Sequence, residues 1–212
     1  MSQPVIRPGS RDLRGSINRV TAQGSHSTPE GGTHTVIIAC PPHPLYGGSR
    51  HDKRLQIVSD AALRQGIDCF RFDYGPWQGG YEAVEDARTA VQWADNRYEH
   101  IVLFGYSFGG AIALLAASNP PCDVHGVSVL APVAQVTDNV AVVPALSNIR
   151  TPIQVICGRT DTTVDWEPIA EKVDQLGCDV VRLSTDHSFI GYHDQVADTT
   201  TQFFDDVVDT CK

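Results

Sequence analysis

Short apolar runs rich in Val and Ile alternate with longer segments of helical periodicity from Thr33 to the end of the chain. That alternation is typical of βαβ units, in which successive strands lie parallel in one sheet and the connecting helices cover its faces. Each run is apolar throughout, so we expect both faces of the sheet to be buried. The pattern predicts an α/β fold with six central strands, at residues 34–40, 67–73, 101–105, 124–130, 153–157 and 180–184.

The segments between these runs have apolar residues at the three- and four-residue spacing of amphipathic helices. Leu55, Val58 and Ala62 share one face of a helix that we expect to end at Gly66. Segment 108–117 is apolar on all sides, which predicts a helix buried against the sheet. The gap at 131–152 contains three prolines, and we expect a loop with one short helix there, not a lid of several helices.

The length of 212 residues fits one domain, which we place at residues 33–212. Residues 1–32 form an N-terminal segment before it, and from 14–22 we predict an antiparallel edge strand. The N-terminus lacks the apolar stretch of a secretory signal, and no apolar run approaches the roughly 18–20 residues of a membrane span. We therefore expect a cytoplasmic protein without a membrane partner.

Charge and cysteine usage narrow the classes of ligand. A net charge of -9 disfavours nucleic-acid binding, so we expect small-molecule partners. Six cysteines form no CxxC pair and have no histidine at metal-ligand spacing, which indicates buried free thiols and no metal site. The acidic residues are mostly Asp and the basic ones mostly Arg, a bias that fits either a halophilic source or an ordinary acidic surface.

A glycine-rich serine motif follows the third central run. Gly105-Tyr106-Ser107-Phe108-Gly109 is a G-x-S-x-G sequence between a predicted strand and a predicted helix. A serine in a sharp strand-to-helix turn needs neighbours without Cβ atoms, because strand and helix crowd together there. Ser107 is therefore a candidate nucleophile at the edge of the sheet.

A serine hydroxyl needs a general base and an orienting carboxylate, and two later strands supply candidates. Asp161 follows the strand at 153–157, and His187 follows the last strand. Asp165 is the competing carboxylate, but we expect it to cap the next helix. His193 is the competing base, but it lies at the predicted start of the last helix.

An oxyanion hole needs two backbone N–H groups aimed at the developing charge. One would come from Phe108, directly after the serine. The other would come from the loop after the first central strand, where the prolines have no N–H to give. We predict Leu45 as that second donor, with Tyr46 as the next choice.

These residues resemble the α/β-hydrolase superfamily. His43-Pro44-Leu45-Tyr46-Gly47-Gly48, Phe70-Arg71-Phe72-Asp73-Tyr74-Gly75 and the serine motif are similar to its small, lidless branch around dienelactone hydrolase. The resemblance covers residues 33–208 and implies a Ser107, Asp161, His187 triad with Leu45 and Phe108 N–H groups as the oxyanion hole. Dienelactone hydrolases have a cysteine where this chain has Ser107, so the resemblance does not imply their lactone substrate.

The sequence therefore predicts a serine hydrolase that cleaves small carboxylic esters or thioesters through an acyl-enzyme, with no metal or organic cofactor. The same triad would also suit an acyltransferase or a small peptidase, because it determines acyl chemistry but not the acceptor. A binding protein that has the scaffold without turnover is the alternative outside the enzymes.

Overall fold

The computed structural model describes residues 5–6, 13–20 and 34–210, and a single eight-stranded sheet runs through them. The order across this sheet is β1-β2-β4-β3-β5-β6-β9-β10. Its strands are β1 (Val5–Ile6), β2 (Leu13–Asn18), β3 (Thr35–Cys40), β4 (Asp68–Asp73), β5 (His100–Tyr106), β6 (Gly126–Leu130), β9 (Ile153–Gly158) and β10 (Asp179–Leu183), and a separate hairpin is made by β7 (Gln135–Thr137) and β8 (Val140–Ala141).

The six predicted central strands all form, with ends shifted by at most two residues, and all pair in parallel. The predicted N-terminal strand forms as β2, which pairs antiparallel with β4, but it is not at the edge of the sheet. It begins one residue before the predicted segment and already ends at Asn18, and β1 pairs along its outer side. Residues 21–22 of that prediction lie outside the described part of the chain.

Helices cover both faces of the sheet, which confirms the α/β prediction. One face packs against α2 (Tyr81–Asp95), α3 (Phe108–Ser118) and α4 (Glu167–Gln175), and the other against α1 (Lys53–Arg64) and α5 (His193–Thr210). Successive strand residues alternate between the two cores, which is why the strands are apolar throughout. None of the helices within the described residues combines the length and apolar character that a membrane crossing requires.

The order of the strands marks where a site is expected. The chain passes from β3 to β4 on one side and then returns to β5 on the other side of β3. In open α/β sheets, ligands bind beyond the carboxyl ends of the strands at such a reversal. The Ser107 turn leaves β5 at this point.

Segment 131–152, described throughout, contains no α-helix. It forms the β7–β8 hairpin and one 3₁₀ turn, Val143–Asn148. The prediction of a loop with one short helix and no lid is therefore confirmed in substance, since the segment is too small to cover the carboxyl edge of the sheet.

The five cysteines within the described residues are unpaired: Cys40, Cys69 and Cys157 are buried, and Cys122 and Cys178 are half-buried. Cys211 lies outside the described residues. Across the same part of the chain, no three His, Cys, Asp or Glu side chains come together in an arrangement that could hold a metal ion.

Candidate active site

The serine lies in a strained turn between β5 and α3. Ser107 has φ 57° and ψ -121°, a left-handed conformation that is costly for a residue with a side chain. Its N–H donates to the carbonyl of Leu130 on the neighbouring strand at 2.8 Å, which holds the turn against the sheet. The hydroxyl therefore projects from the carboxyl edge of the sheet, as the motif predicts.

The glycines of the motif are required by close backbone approach. A Cβ at Gly105 would lie 2.1 Å from the carbonyl oxygen of Gly109, across the turn. A Cβ at Gly109 would lie 2.2 Å from the carbonyl oxygen of Cys40, at the end of β3. Only glycine fits at these distances, so the motif packs the Ser107 turn directly onto the loop that follows β3.

The structure brings Ser107, His187 and Asp161 into one chain of hydrogen bonds. The Nδ1–H of His187 donates to Oδ2 of Asp161 at 2.7 Å, and its Nε2 lies 3.1 Å from Oγ of Ser107. A carboxylate oxygen accepts the proton of the ring nitrogen beside it, so in the neutral imidazole Nε2 is left as the acceptor for the serine hydroxyl. This arrangement would allow the histidine to take the hydroxyl proton of the serine.

Asp161 is fixed independently of the histidine. Its side chain is wholly buried, and Oδ1 accepts the N–H of Thr163 at 2.8 Å. The competing Asp165 is exposed and outside this network. It is also not the helix cap that we predicted: α4 begins at Glu167 with Trp166 as its N-cap, and no side chain caps that end.

The loop after β3 uses most of its own N–H groups. It forms a 3₁₀ turn, Pro44–Tyr46, in which the N–H of Leu45 donates to Nδ1 of His43 at 3.2 Å. The N–H groups of Tyr46, Gly47 and Gly48 also donate within the loop. Leu45, the predicted oxyanion donor, therefore has its N–H engaged, and its side chain is 65% exposed.

The N–H groups of Phe108 and His43 are among those near Ser107 that make no hydrogen bond with any described residue. Phe108 is one of the two predicted donors, and His43 is not part of that prediction. The sequence signal was available, because His43 is the only residue of Pro41-Pro42-His43-Pro44 that has an N–H. The hydroxyl of Tyr74 holds this stretch by donating to the Pro41 carbonyl at 3.0 Å.

An open groove of about 320 Å³ contains the serine and the histidine. Its lining residues are Pro42, His43, Tyr46, Gly47, Gly48, Asp52, Arg54, Tyr106, Ser107, Thr163 and His187. Two larger cavities, of about 460 and 420 Å³, lie near the amino ends of the strands and contain no such serine–histidine pair. The chemistry therefore points to the smaller groove, which includes His43 but not Leu45 in its wall.

Comparisons with known proteins agree with this geometry. The profile described as serine aminopeptidase, S33, matches residues 46–147, which include the Ser107 turn but neither Asp161 nor His187. A lidless α/β serine hydrolase from Xanthomonas campestris superimposes with a TM-score of 0.74 at 21% identity, covering 95% of this chain and 94% of its own. The chain therefore has the α/β-hydrolase fold, and the part of it around Ser107 is similar to the serine aminopeptidase profile.

Two further solved structures share this fold. A dienelactone hydrolase from Anabaena variabilis has a TM-score of 0.74 at 19% identity, over 96% of this chain and 95% of that one. An esterase from Pyrococcus furiosus has a TM-score of 0.80 at 15% identity, over 96% of this chain and 90% of that one. A comparison with curated proteins finds no match.

On one side of the groove, the lining residue His43 packs against two aromatic rings. The ring of His43 lies 4.6 Å from that of Phe108 and 4.5 Å from that of Trp77, between ring centroids. Burial lowers the pKa of His43 below the ordinary histidine value, which favours the neutral ring. A neutral ring keeps Nδ1 as an acceptor, so the hydrogen bond from Leu45 persists at neutral pH.

The other wall of the groove is polar but internally paired. Arg54 binds Oδ2 of Asp52 at 2.6 Å, and Oδ1 of Asp52 accepts the N–H of Arg54 as the N-cap of α1. The guanidinium of Arg54 also lies 4.3 Å from the centre of the Tyr106 ring. Both carboxylate oxygens of Asp52 are thus bonded to Arg54.

Proposed function

We propose that this chain is a serine hydrolase that cleaves small carboxylic esters or thioesters through an acyl-enzyme on Ser107. The observation that carries the proposal is the chain of hydrogen bonds from Ser107 through His187 to Asp161, at 3.1 and 2.7 Å, beside an open groove. Cytoplasmic location and the absence of nucleic-acid and membrane partners stay predictions.

In the first half of the proposed reaction, Nε2 of His187 takes the hydroxyl proton of Ser107 as Oγ attacks the ester carbonyl. Asp161 stabilises the imidazolium that forms. The tetrahedral intermediate collapses with cleavage of the bond to the alcohol or thiol, which leaves with the proton from Nε2. In the second half, His187 deprotonates water, hydroxide attacks the acyl-enzyme, and Ser107 recovers its proton as the acid departs.

We assign the N–H groups of Phe108 and His43 to the oxyanion. His43 lines the groove, Phe108 directly follows Ser107 in the chain, and neither N–H has a hydrogen-bond partner among the described residues. The predicted donor Leu45 would first have to release its hydrogen bond to Nδ1 of His43. Preformed donors stabilise a transition state most, because they need no reorganisation during the reaction.

A small peptidase is the second candidate, and the match to the aminopeptidase profile favours it. An aminopeptidase needs an acidic group that receives the substrate's ammonium. Among the described residues that line the groove, Asp52 is the only acidic one, and it is paired with Arg54 at 2.6 Å. That pairing favours uncharged ester or thioester substrates.

The open groove predicts a preference for short acyl chains. Each buried methylene contributes about 0.8 kcal/mol, and a site without a lid buries few of them. We expect kcat/KM along a p-nitrophenyl ester series to level off or fall beyond about six acyl carbons, because further methylenes stay in water.

The control for this series is leucine p-nitroanilide, on which we expect no turnover above that of Ser107→Ala. A steady climb in kcat/KM to twelve or more carbons would contradict the open-groove argument. Faster cleavage of the anilide than of any ester would transfer the proposal to the peptidase.

A further inference from the structure

Tyr106, the residue immediately before Ser107, contacts His187 through both its hydroxyl and its ring. The hydroxyl of Tyr106 donates to the backbone carbonyl of His187 at 2.9 Å, across 81 positions of sequence. The ring of Tyr106 also packs against the imidazole, with 5.1 Å between centroids. One side chain thus touches both the backbone and the ring of His187 while its own backbone continues directly into Ser107.

Tyr106 is itself held firmly. It is the last residue of β5 and only 4% exposed, and the Arg54 guanidinium packs over its ring. Arg54 is bound in turn to Asp52 at the start of α1. Burial raises the pKa of Tyr106 to about 12, so its hydroxyl remains a donor throughout the neutral range.

The loop that contains His187 has a strained backbone and few bonds to the His187 main chain. It leaves β10 and contains Phe189 at φ 55°, a strained conformation for a residue with a side chain. Phe189 is wholly buried, and Asp186 accepts the N–H and hydroxyl of Ser188. Among the described residues, the Tyr106 hydroxyl is the only group bonded to the His187 carbonyl.

We propose that Tyr106 is a positioning residue. Its hydroxyl holds the backbone of the His187 loop at the position where Nε2 lies within hydrogen-bond distance of Oγ of Ser107. This inference rests on the proposed function, because it assigns Tyr106 a role in that same triad. The hydroxyl is occupied by the His187 carbonyl, so it acts through the histidine and not on the substrate. Small misplacements of a catalytic group lower the rate greatly.

The test is Tyr106→Phe, which keeps the ring and removes only the hydroxyl. We expect kcat on p-nitrophenyl acetate to fall about 10- to 100-fold, while KM stays within about twofold. An unchanged kcat would overturn the inference and leave the proposed function standing. A rise in KM with kcat unchanged would also overturn it, since the hydroxyl would then bind substrate.

Tyr98→Phe is the matched control. The Tyr98 hydroxyl donates to Asp68 at the same distance of 2.9 Å, and burial raises the pKa of Tyr98 to about 12. Tyr98 precedes the amino end of β5, opposite the groove. We expect Tyr98→Phe to lose as much thermal stability as Tyr106→Phe but to keep the wild-type kcat. An equal loss of kcat in both variants would show that the Tyr106 effect is general destabilisation.

Two further measurements separate positioning from other roles. In an Asp161→Asn background the imidazole is already misoriented, so removal of the Tyr106 hydroxyl should lower kcat by less than about threefold. An equal loss of kcat in both backgrounds would contradict action through His187.

Proton NMR tests the geometry without turnover. We expect the His187 Nδ1–H resonance, assigned by its loss in His187→Gln, to exchange faster in Tyr106→Phe, and an unchanged resonance would overturn the inference even in an inactive protein.

Discussion

Ser107→Ala is expected to lower kcat/KM for p-nitrophenyl acetate by about 10⁴-fold or more, with little change in melting temperature. The substitution removes the attacking oxygen but no packing, since the hydroxyl projects into the groove. His187→Ala should lose a comparable factor. The double variant should be no slower than either single one, because the two residues act as a unit and neither works alone.

Ser118→Ala is the control for this experiment. Its hydroxyl donates to the Leu115 carbonyl at 2.8 Å, at the opposite end of the same helix. We expect its kcat/KM to match the wild-type value. Retention of a substantial fraction of activity in Ser107→Ala would show that another group attacks the substrate.

Asp161→Asn is expected to lower kcat by about 10³- to 10⁴-fold and to leave the fold intact. The amide still accepts the Thr163 N–H through Oδ1, but its NH₂ group now faces Nδ1 of His187. That contact favours the tautomer with the proton on Nε2, which cannot accept the proton of Ser107. Kinetics and circular dichroism of the same samples measure both parts of the prediction.

Asp165→Asn is the matched variant for the orienting carboxylate. Asp165 lies four residues after Asp161 and is exposed, whereas Asp161 is the carboxylate bonded to Nδ1 of His187. We expect kcat within about twofold of wild type. The reverse ranking of the two variants would transfer the orienting role to Asp165.

The sequence was sufficient for the parts of the site that follow directly from strand ends. Parallel strands bring their carboxyl ends to one edge, so residues just after β5, β9 and β10 had to come together there. Ser107, Asp161 and His187 are those residues, and the structure places them within hydrogen-bond distance. Gly105 and Gly109, two positions on either side of Ser107, indicate the same turn, because the backbone contacts there leave no room for a Cβ.

The sequence was insufficient where the outcome depends on which polar group reaches which partner. Leu45 was expected to offer its N–H, but the 3₁₀ turn places that group on Nδ1 of His43. Backbone conformation decides this, and a proline-rich segment does not reveal it in advance.

The bond from Tyr106 to the His187 carbonyl likewise joins positions 81 residues apart and has no local pattern. Helix ends are another example: α4 begins after Trp166, with no capping side chain to mark it.

Labelling with a fluorophosphonate tests the central claim most directly, because such a probe phosphonylates a serine only where a base activates it. Wild-type protein at neutral pH should gain the mass of one probe, with the modified peptide containing Ser107. Ser107→Ala and His187→Ala should gain none under the same conditions, and Ser118→Ala should label at the wild-type rate. An unlabelled wild-type protein, or a label on any residue other than Ser107, would contradict the account.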